Sequence, residues 1–121
     1  MDKSSLGKYG EDMAAEYLRD RGYKIIARNF REKYGELDVV AIALDKTLVF
    51  VEVKTMMIND NGIKPEDQFS KAKKIKFSRI ASIYAGLNED LVDNKRGWRL
   101  DLIAIEVSGK NKPIIRHYEN V

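Results

Sequence analysis

Two short apolar runs bounded by charges constrain the fold more than any other feature of the sequence. Residues 39–44 and 48–53 have strand length and carry apolar residues on both faces, as strands covered on both sides do. Charged side chains stand at their outer ends: Glu36, Asp38, Glu52 and Lys54. Burying carboxylates is costly unless a cation or hydrogen bonds compensate. The sequence therefore predicts a sheet whose rim gathers acids around a compensating partner.

Length and composition favour a single domain spanning residues 1–121, with 44% apolar and 34% charged residues. Without an apolar run of about 20 residues, we expect no membrane span. The absence of cysteine excludes disulfides and thiolate chemistry. The opening MDKSSLGKYG lacks the apolar region of a secretory signal, so we expect a cytoplasmic protein.

Apolar periodicity and turn residues predict the element order α-β-β-β-α-β-β. The expected helices span residues 5–21 and 65–85, and the expected strands span 23–30, 37–44, 47–55, 98–107 and 112–118. Pro65 marks the start of the second helix, and Pro113 assigns the last strand to a sheet edge. We expect residues 56–64 to form a mobile loop, because turn residues dominate there.

The alternation of side chains along the two apolar strands sets their register. If Asp38 lies opposite Glu52, then Glu36 lies opposite Lys54, and all four share one face. This register requires a hairpin loop with an odd number of residues or a bulge, such as residues 44–46, because a two-residue turn would place them on opposite faces.

A pair of carboxylates about 5 Å apart indicates a hard-metal site. Such carboxylates repel each other unless a divalent cation lies between them, and Mg²⁺ prefers oxygen ligands. Lys54, next on the same face, could hold the attacking water or neutralise phosphoryl oxygens. The alternative is ordinary charge at exposed strand ends, with Glu36 and Lys54 forming a cross-strand ion pair.

The second predicted helix carries a basic surface. Its apolar residues form one arc, within which Lys73 and Lys76 fall near the helix start; these lysines either extend to solvent or meet an anion. Lys71, Lys74 and Arg79 lie on the other side. All five cations are candidate DNA-binding residues, the alternative being a solvated helix face.

Three further polar residues favour structural roles. His117, the sole histidine, lies in the predicted edge strand, and with no cysteine a zinc site is not expected. Arg99 and Asp101 share a strand face with apolar residues, so we expect a buried ion pair between them.

Several ordered motifs carry a resemblance over most of the chain: Gly10-Glu11, ARNFR, GELD, VFVEVK, a helix bearing Lys73 and Lys76, and RLD. They resemble the YraN-like family of small bacterial proteins. That family is grouped with the restriction-endonuclease-like, PD-(D/E)XK nuclease superfamily and is similar to archaeal Holliday-junction resolvases. The resemblance implies an α/β fold with a central mixed β-sheet flanked by helices. One departure is that LD, at residues 37–38, replaces PD.

The resemblance also implies roles for individual residues. Asp38, Glu52 and Glu11 would hold Mg²⁺ or Mn²⁺, and Lys54 would be the catalytic lysine. Lys73 matches the downstream basic position, and Glu36 belongs to the GE-x-D pattern as an accessory acid.

The leading hypothesis is a metal-dependent endonuclease acting on DNA, in branched, flapped or otherwise non-standard structures. One alternative is a non-catalytic nucleic-acid-binding module, and another is a protein-interaction module that docks through residues 56–64. Resolvase-like relatives act as dimers, and homodimerisation stays open here because the sequence offers no self-complementary patch.

Overall fold

The computed structural model describes residues 1–121 and follows the predicted order of helices and strands. Its main elements are α1 (Lys3–Asp20), β1 (Lys24–Glu32), β2 (Gly35–Ile42), β3 (Leu48–Met57), α2 (Lys71–Leu87), β4 (Trp98–Val107) and β5 (Ile114–Tyr118). Short 3-10 helices at Pro65–Gln68 and Glu89–Leu91 flank α2. None of the helices combines the length and apolar character needed to cross a membrane.

The strands form one mixed sheet in the order β1-β2-β3-β4-β5. Neighbours are antiparallel except β3 and β4, which run parallel because α2 carries the chain back between them. β5 forms an edge, as Pro113 predicted. This architecture confirms the expected α/β class with a mixed sheet between helices.

Each helix covers one face of the sheet and completes a separate apolar layer. On one face, Ala14 and Leu18 of α1 pack against odd-numbered residues of β3 such as Val51. On the other face, Phe77 and Ile80 of α2 pack in a cluster with residues of β2 and β3, namely Leu37, Val40, Leu48 and Phe50. Leu37 lies in this cluster and Val39 in that of α1, so the predicted alternation of faces does not hold along the whole of β2. The two apolar runs are therefore buried on both sides, which explains their lack of polar alternation.

The predicted register is confirmed beside the hairpin loop, but the backbone pairing does not extend to the expected pairs Asp38–Glu52 and Glu36–Lys54. Val39 pairs with Val51 and Ile42 with Leu48, so partner numbers sum to 90. The Ala43 amide donates to the Thr47 carbonyl, which leaves a three-residue loop at 44–46. Lys46 has φ +78°, as the last residue of such a loop requires.

The predicted start of the second helix was wrong. Pro65–Gln68 is a separate 3-10 turn, and α2 begins at Lys71. Phe69, with ψ +78°, interrupts the helical path, and Ser70 caps α2 by accepting from the Lys73 amide. The helix also continues two residues beyond the predicted end at residue 85.

Strand boundaries also differ from the predictions. β1 extends to Glu32, and β2 ends at Ile42, which leaves Leu44 80% exposed in the hairpin loop. β3 continues to Met57 because its last residues pair with β4, so the following loop is shorter than predicted.

Candidate active site

The Asp38 side chain forms a hydrogen bond to β3 just beyond the last backbone pair between β2 and β3. The last pair is Val39–Val51, and Asp38 Oδ2 accepts a hydrogen bond from the Val53 amide at 2.8 Å. The Asp38 residue is 9% exposed. Its side chain therefore replaces a backbone contact, and its position at the end of the ladder places it beside Glu52.

The surroundings of Glu52 favour its protonated form. Burial is the largest effect, and a hydrogen bond with Asp38 and the charge of Asp38 add to it, so that the pKa of Glu52 rises to about 8. The charge of Lys54 opposes this rise in the pKa, and that of Glu36 reinforces it. A proton on Glu52 therefore reduces the repulsion between the two neighbouring carboxyl groups near neutral pH.

Glu11 approaches the same carboxyl pair from the opposite face of the sheet. The approach depends on Gly10, because a Cβ built there would lie 1.8 Å from Thr55 Oγ1 on β3. Burial, followed by the charge of Asp38, raises the pKa of Glu11, while Arg28 lowers it. In the Gly10-Glu11 motif, Gly10 therefore permits close packing of α1 on β3, and Glu11 lies near Asp38 as a result.

A pocket of about 370 Å³ lies on the α2 side of these acids. The charged residues that line it are Glu36, Glu52, Lys54, Lys73 and Lys76. The three lysines form no ion pairs, whereas Glu36 contacts Arg31 at 3.4 Å. The alternative of a Glu36–Lys54 ion pair is therefore wrong. Lys73 and Lys76, the lysines within the predicted apolar arc, border this pocket.

The remaining candidate DNA-binding cations do not reach this pocket. Lys71, Lys74 and Arg79 are exposed and are absent from its lining. The structure thus places Asp38, Glu52, Lys54, Lys73 and Lys76 in one region, with Glu11 on the α1 side.

The donor set suits a hard cation but does not form a closed coordination cage. No three carboxylate or histidine side chains converge closely enough to hold a metal ion. Asp38 and Glu52 supply the oxygen donors that Mg²⁺ prefers, and two neighbouring carboxylates favour a cation between them. In donor chemistry, these residues therefore fit the divalent cation that the sequence implied.

The residues judged structural from the sequence form a buried network. Arg99 Nε donates to Asp101 Oδ1 at 2.9 Å, confirming the expected ion pair. His117 Nε2 lies 2.8 Å from Asp101 Oδ2, and its Nδ1 lies 3.3 Å from the Tyr17 hydroxyl. Burial raises the pKa of Asp101, but hydrogen bonds led by His117 and Arg99 leave it below its ordinary value. His117 is thus occupied by structural contacts.

A second ion-pair cluster anchors the segment before α2. Arg116 on β5 forms two hydrogen bonds to Glu66, at 2.6 and 2.7 Å, and also contacts Glu106 at 2.6 Å. The sequence analysis missed this cluster, since Glu66 and Arg116 are 50 positions apart. It fixes the 3-10 turn against the sheet.

The order of the elements and the mixed sheet between two helices define a restriction-endonuclease-like fold. The profile described as "Uncharacterised protein family UPF0102" matches residues 10–105, and the chain belongs to this family, the YraN-like family named above.

Relatives align over most of their length. The UPF0102 protein of Campylobacter concisus is 38% identical over 84% of this chain and 83% of its own. The UPF0102 protein of Nocardia farcinica is 35% identical, and the alignment covers 99% of this chain and 91% of the relative. The UPF0102 protein of Roseiflexus castenholzii is 40% identical, and the alignment covers 87% of this chain and 82% of the relative.

A solved structure, Pyrococcus furiosus SfsA in complex with Ca²⁺, matches with a TM-score of 0.39 and 18% identity. The match covers 98% of this chain, which spans 64% of that chain.

Proposed function

We propose that this protein is a Mg²⁺-dependent endonuclease that hydrolyses DNA phosphodiester bonds. One observation carries the proposal: Glu52, whose carboxyl group interacts with that of Asp38, lines the same pocket as Lys54, Lys73 and Lys76. Acids that favour a cation thus lie beside cations that favour a phosphate.

The chain's own residues divide the work of hydrolysis. Asp38 and Glu52, approached by Glu11, would hold Mg²⁺ or Mn²⁺, which when bound would neutralise charge on the phosphoryl oxygens. Glu52, whose pKa is raised to about 8, would bind the cation in its deprotonated form. Lys54 orients the attacking water or stabilises phosphoryl charge, and Lys73 orients the neighbouring phosphates. Water loses one proton to solvent as its oxygen adds to phosphorus, the phosphorus–oxygen bond to the leaving sugar breaks, and the leaving oxygen takes a proton from solvent.

Branched, flapped or otherwise non-standard DNA is the proposed substrate class. This choice rests on the resemblance to Holliday-junction resolvases and on the open pocket at the sheet rim.

A non-catalytic DNA-binding module is the second candidate. It is favoured by the absence of three converging metal-ligand side chains. This alternative gives salt-sensitive binding without any metal-dependent product.

The decisive experiment compares the parent with Asp38→Asn on labelled single-strand, duplex, flap and four-way-junction DNA with Mg²⁺ or Mn²⁺. Asp90→Asn is the matched control, because Asp90 is exposed and makes no ion pair or side-chain hydrogen bond. We expect cleavage by the parent and the control, and none by Asp38→Asn or in EDTA. Cleavage that survives Asp38→Asn contradicts the proposed site, and binding without cleavage by the parent supports the second candidate.

A further inference from the structure

A second groove lies on the α1 side of the carboxylates, opposite the pocket already described. It has a volume of about 600 Å³, and no hydrophobic residue lines it. Its cations are Lys3, Lys8, Arg28 and Arg31. They come from α1 and β1, and none belongs to the basic surface of α2.

Charge interactions connect the α1 groove to the candidate active site. Glu11 lines the α1 groove and lies close enough to Asp38 for their charges to interact. Arg31, also in this groove, pairs with Glu36, which lines the α2 pocket. The α1 groove therefore adjoins the acids of the candidate active site.

The charges of the α1 groove favour an anion. Four cations line it against two acids, Glu11 and Asp12. Lys3 makes no ion pair, and the Lys8–Asp12 contact is long, at 3.4 Å between exposed side chains. Such exposed ion pairs contribute little to stability, so a ligand phosphate can compete for the lysine.

Arg28 has unused hydrogen-bonding capacity in this groove. Its Nη2 donates to Asp12 Oδ1 at 2.6 Å, but its Nε is buried and has no partner. A buried donor without an acceptor is unfavourable, because it has lost its hydrogen bonds to water. A small shift of the guanidinium towards an anion would supply the missing acceptor.

The floor of the groove is suited to close contact with a backbone. Gly7 lines it, and a Cβ built there would meet no atom within 4 Å. A polar, cationic groove with a bare floor matches a sugar-phosphate chain better than an apolar ligand.

We propose that the α1 groove binds the phosphodiester backbone of DNA, on the side of the carboxylates opposite α2. The choice of DNA rests on the proposed function. The bound strand then runs from the α1 groove, past Asp38, to Lys73 and Lys76, so that cations hold it on both sides of the bond to be cleaved.

The test measures binding in an Asp38→Asn background, where cleavage cannot intervene. Lys3→Ala/Lys8→Ala is compared with Lys24→Ala/Lys95→Ala, which removes two exposed lysines that make no ion pair from the other end of the sheet. The probe is labelled flap DNA, and its affinity is followed by fluorescence anisotropy over a range of salt concentrations.

We expect the slope of log affinity against log salt to fall by about two for Lys3→Ala/Lys8→Ala, because each phosphate contact contributes about 0.9. The control pair should keep the slope of its Asp38→Asn parent. Equal slopes for the two pairs, or no salt-dependent binding before either pair is changed, would overturn the inference.

The result is independent of the cleavage experiment. If Lys3→Ala/Lys8→Ala reduces the slope but the parent does not cleave DNA, the result supports DNA binding in the α1 groove and contradicts the proposed nuclease activity. If cleavage depends on Asp38 but the slopes of the two lysine pairs are equal, only DNA binding in the α1 groove is contradicted.

Discussion

The Asp38 carboxylate accepts a hydrogen bond from the Val53 amide at 2.8 Å, across the gap that opens beyond the last β2–β3 backbone pair. The same carboxylate hydrogen-bonds with Glu52 and influences Glu11 by its charge. Asp38 therefore fixes strand geometry as well as the electrostatics of the site, and these contributions can be separated experimentally.

Asp38→Asn and Asp38→Ala remove the same charge but differ in the hydrogen bond to Val53. Asparagine keeps an acceptor oxygen, so we expect a free energy of unfolding within about 1 kcal/mol of the parent. Alanine leaves the Val53 amide unpaired and should cost a further 1–3 kcal/mol or so. Urea denaturation gives both values, and equal stability of the two variants would exclude this role of the hydrogen bond.

The raised pKa of Glu52 predicts a pH-dependent stability without metal. Between its ordinary pKa of 4.5 and its folded pKa of about 8, the folded protein holds a proton that the unfolded chain releases. Stability should therefore fall as the pH rises through this window. Glu52→Gln should flatten the fall, and Mg²⁺ should stabilise the parent more at the upper end. Denaturation midpoints from about pH 5 to about pH 8 in EDTA and in Mg²⁺ check this; an unchanged pH profile in Glu52→Gln would contradict it.

Gly10→Ala should destabilise the protein by about 1–3 kcal/mol, because its methyl group would overlap Thr55 and displace α1. Gly7→Ala is the matched control within the same helix. Its methyl group meets no atom within 4 Å, so we expect a gain of about 0.5–1 kcal/mol from helix propensity. Chemical denaturation measures both changes, and a neutral Gly10→Ala would show that α1 is not held this close to β3.

Local sequence signals predicted the sheet at the site well. Placing the charges of Asp38 and Glu52 on one face required a hairpin loop with an odd number of residues or a bulge. The three-residue loop at 44–46 meets this requirement. The proline signal at Pro65 was equally genuine, but it opened a 3-10 turn, because Ser70 offered a new cap.

Contacts between distant segments could not be predicted in this way. The ion pair between Arg116 and Glu66 depends on β5 lying beside β4. The α1 groove was missed for the same reason, because Lys3 and Arg28 become neighbours only when α1 packs on β1. Sequence spacing gives the faces of single elements, whereas these sites require knowledge of which faces meet.

The Asp101 network should support folding and not cleavage. Asp101→Ala leaves Arg99 and His117 without their shared buried partner, and we expect a loss of about 3–5 kcal/mol. Glu119→Ala removes an Arg99 contact whose acid is 62% exposed, so it should cost at most about 1 kcal/mol. Urea denaturation compares them. Below its unfolding midpoint, Asp101→Ala should cleave DNA at the parental rate, and a selective loss of kcat would instead indicate a catalytic contribution.

The lysines of α2 provide a matched comparison within one helix. Lys73 and Lys76 border the pocket, whereas Lys71 and Lys74 are equally exposed but lie outside it. A lost hydrogen bond to a charged phosphate costs about 1.5–3 kcal/mol, so Lys73→Ala/Lys76→Ala should slow single-turnover cleavage at saturating DNA by about tenfold or more. Lys71→Ala/Lys74→Ala should weaken salt-dependent binding but leave that rate unchanged. Equal losses of rate in the two double variants would mean that the helix acts only as a general cationic surface. If both variants kept the parental cleavage rate, the lysines of α2 would have no role in the cleavage step.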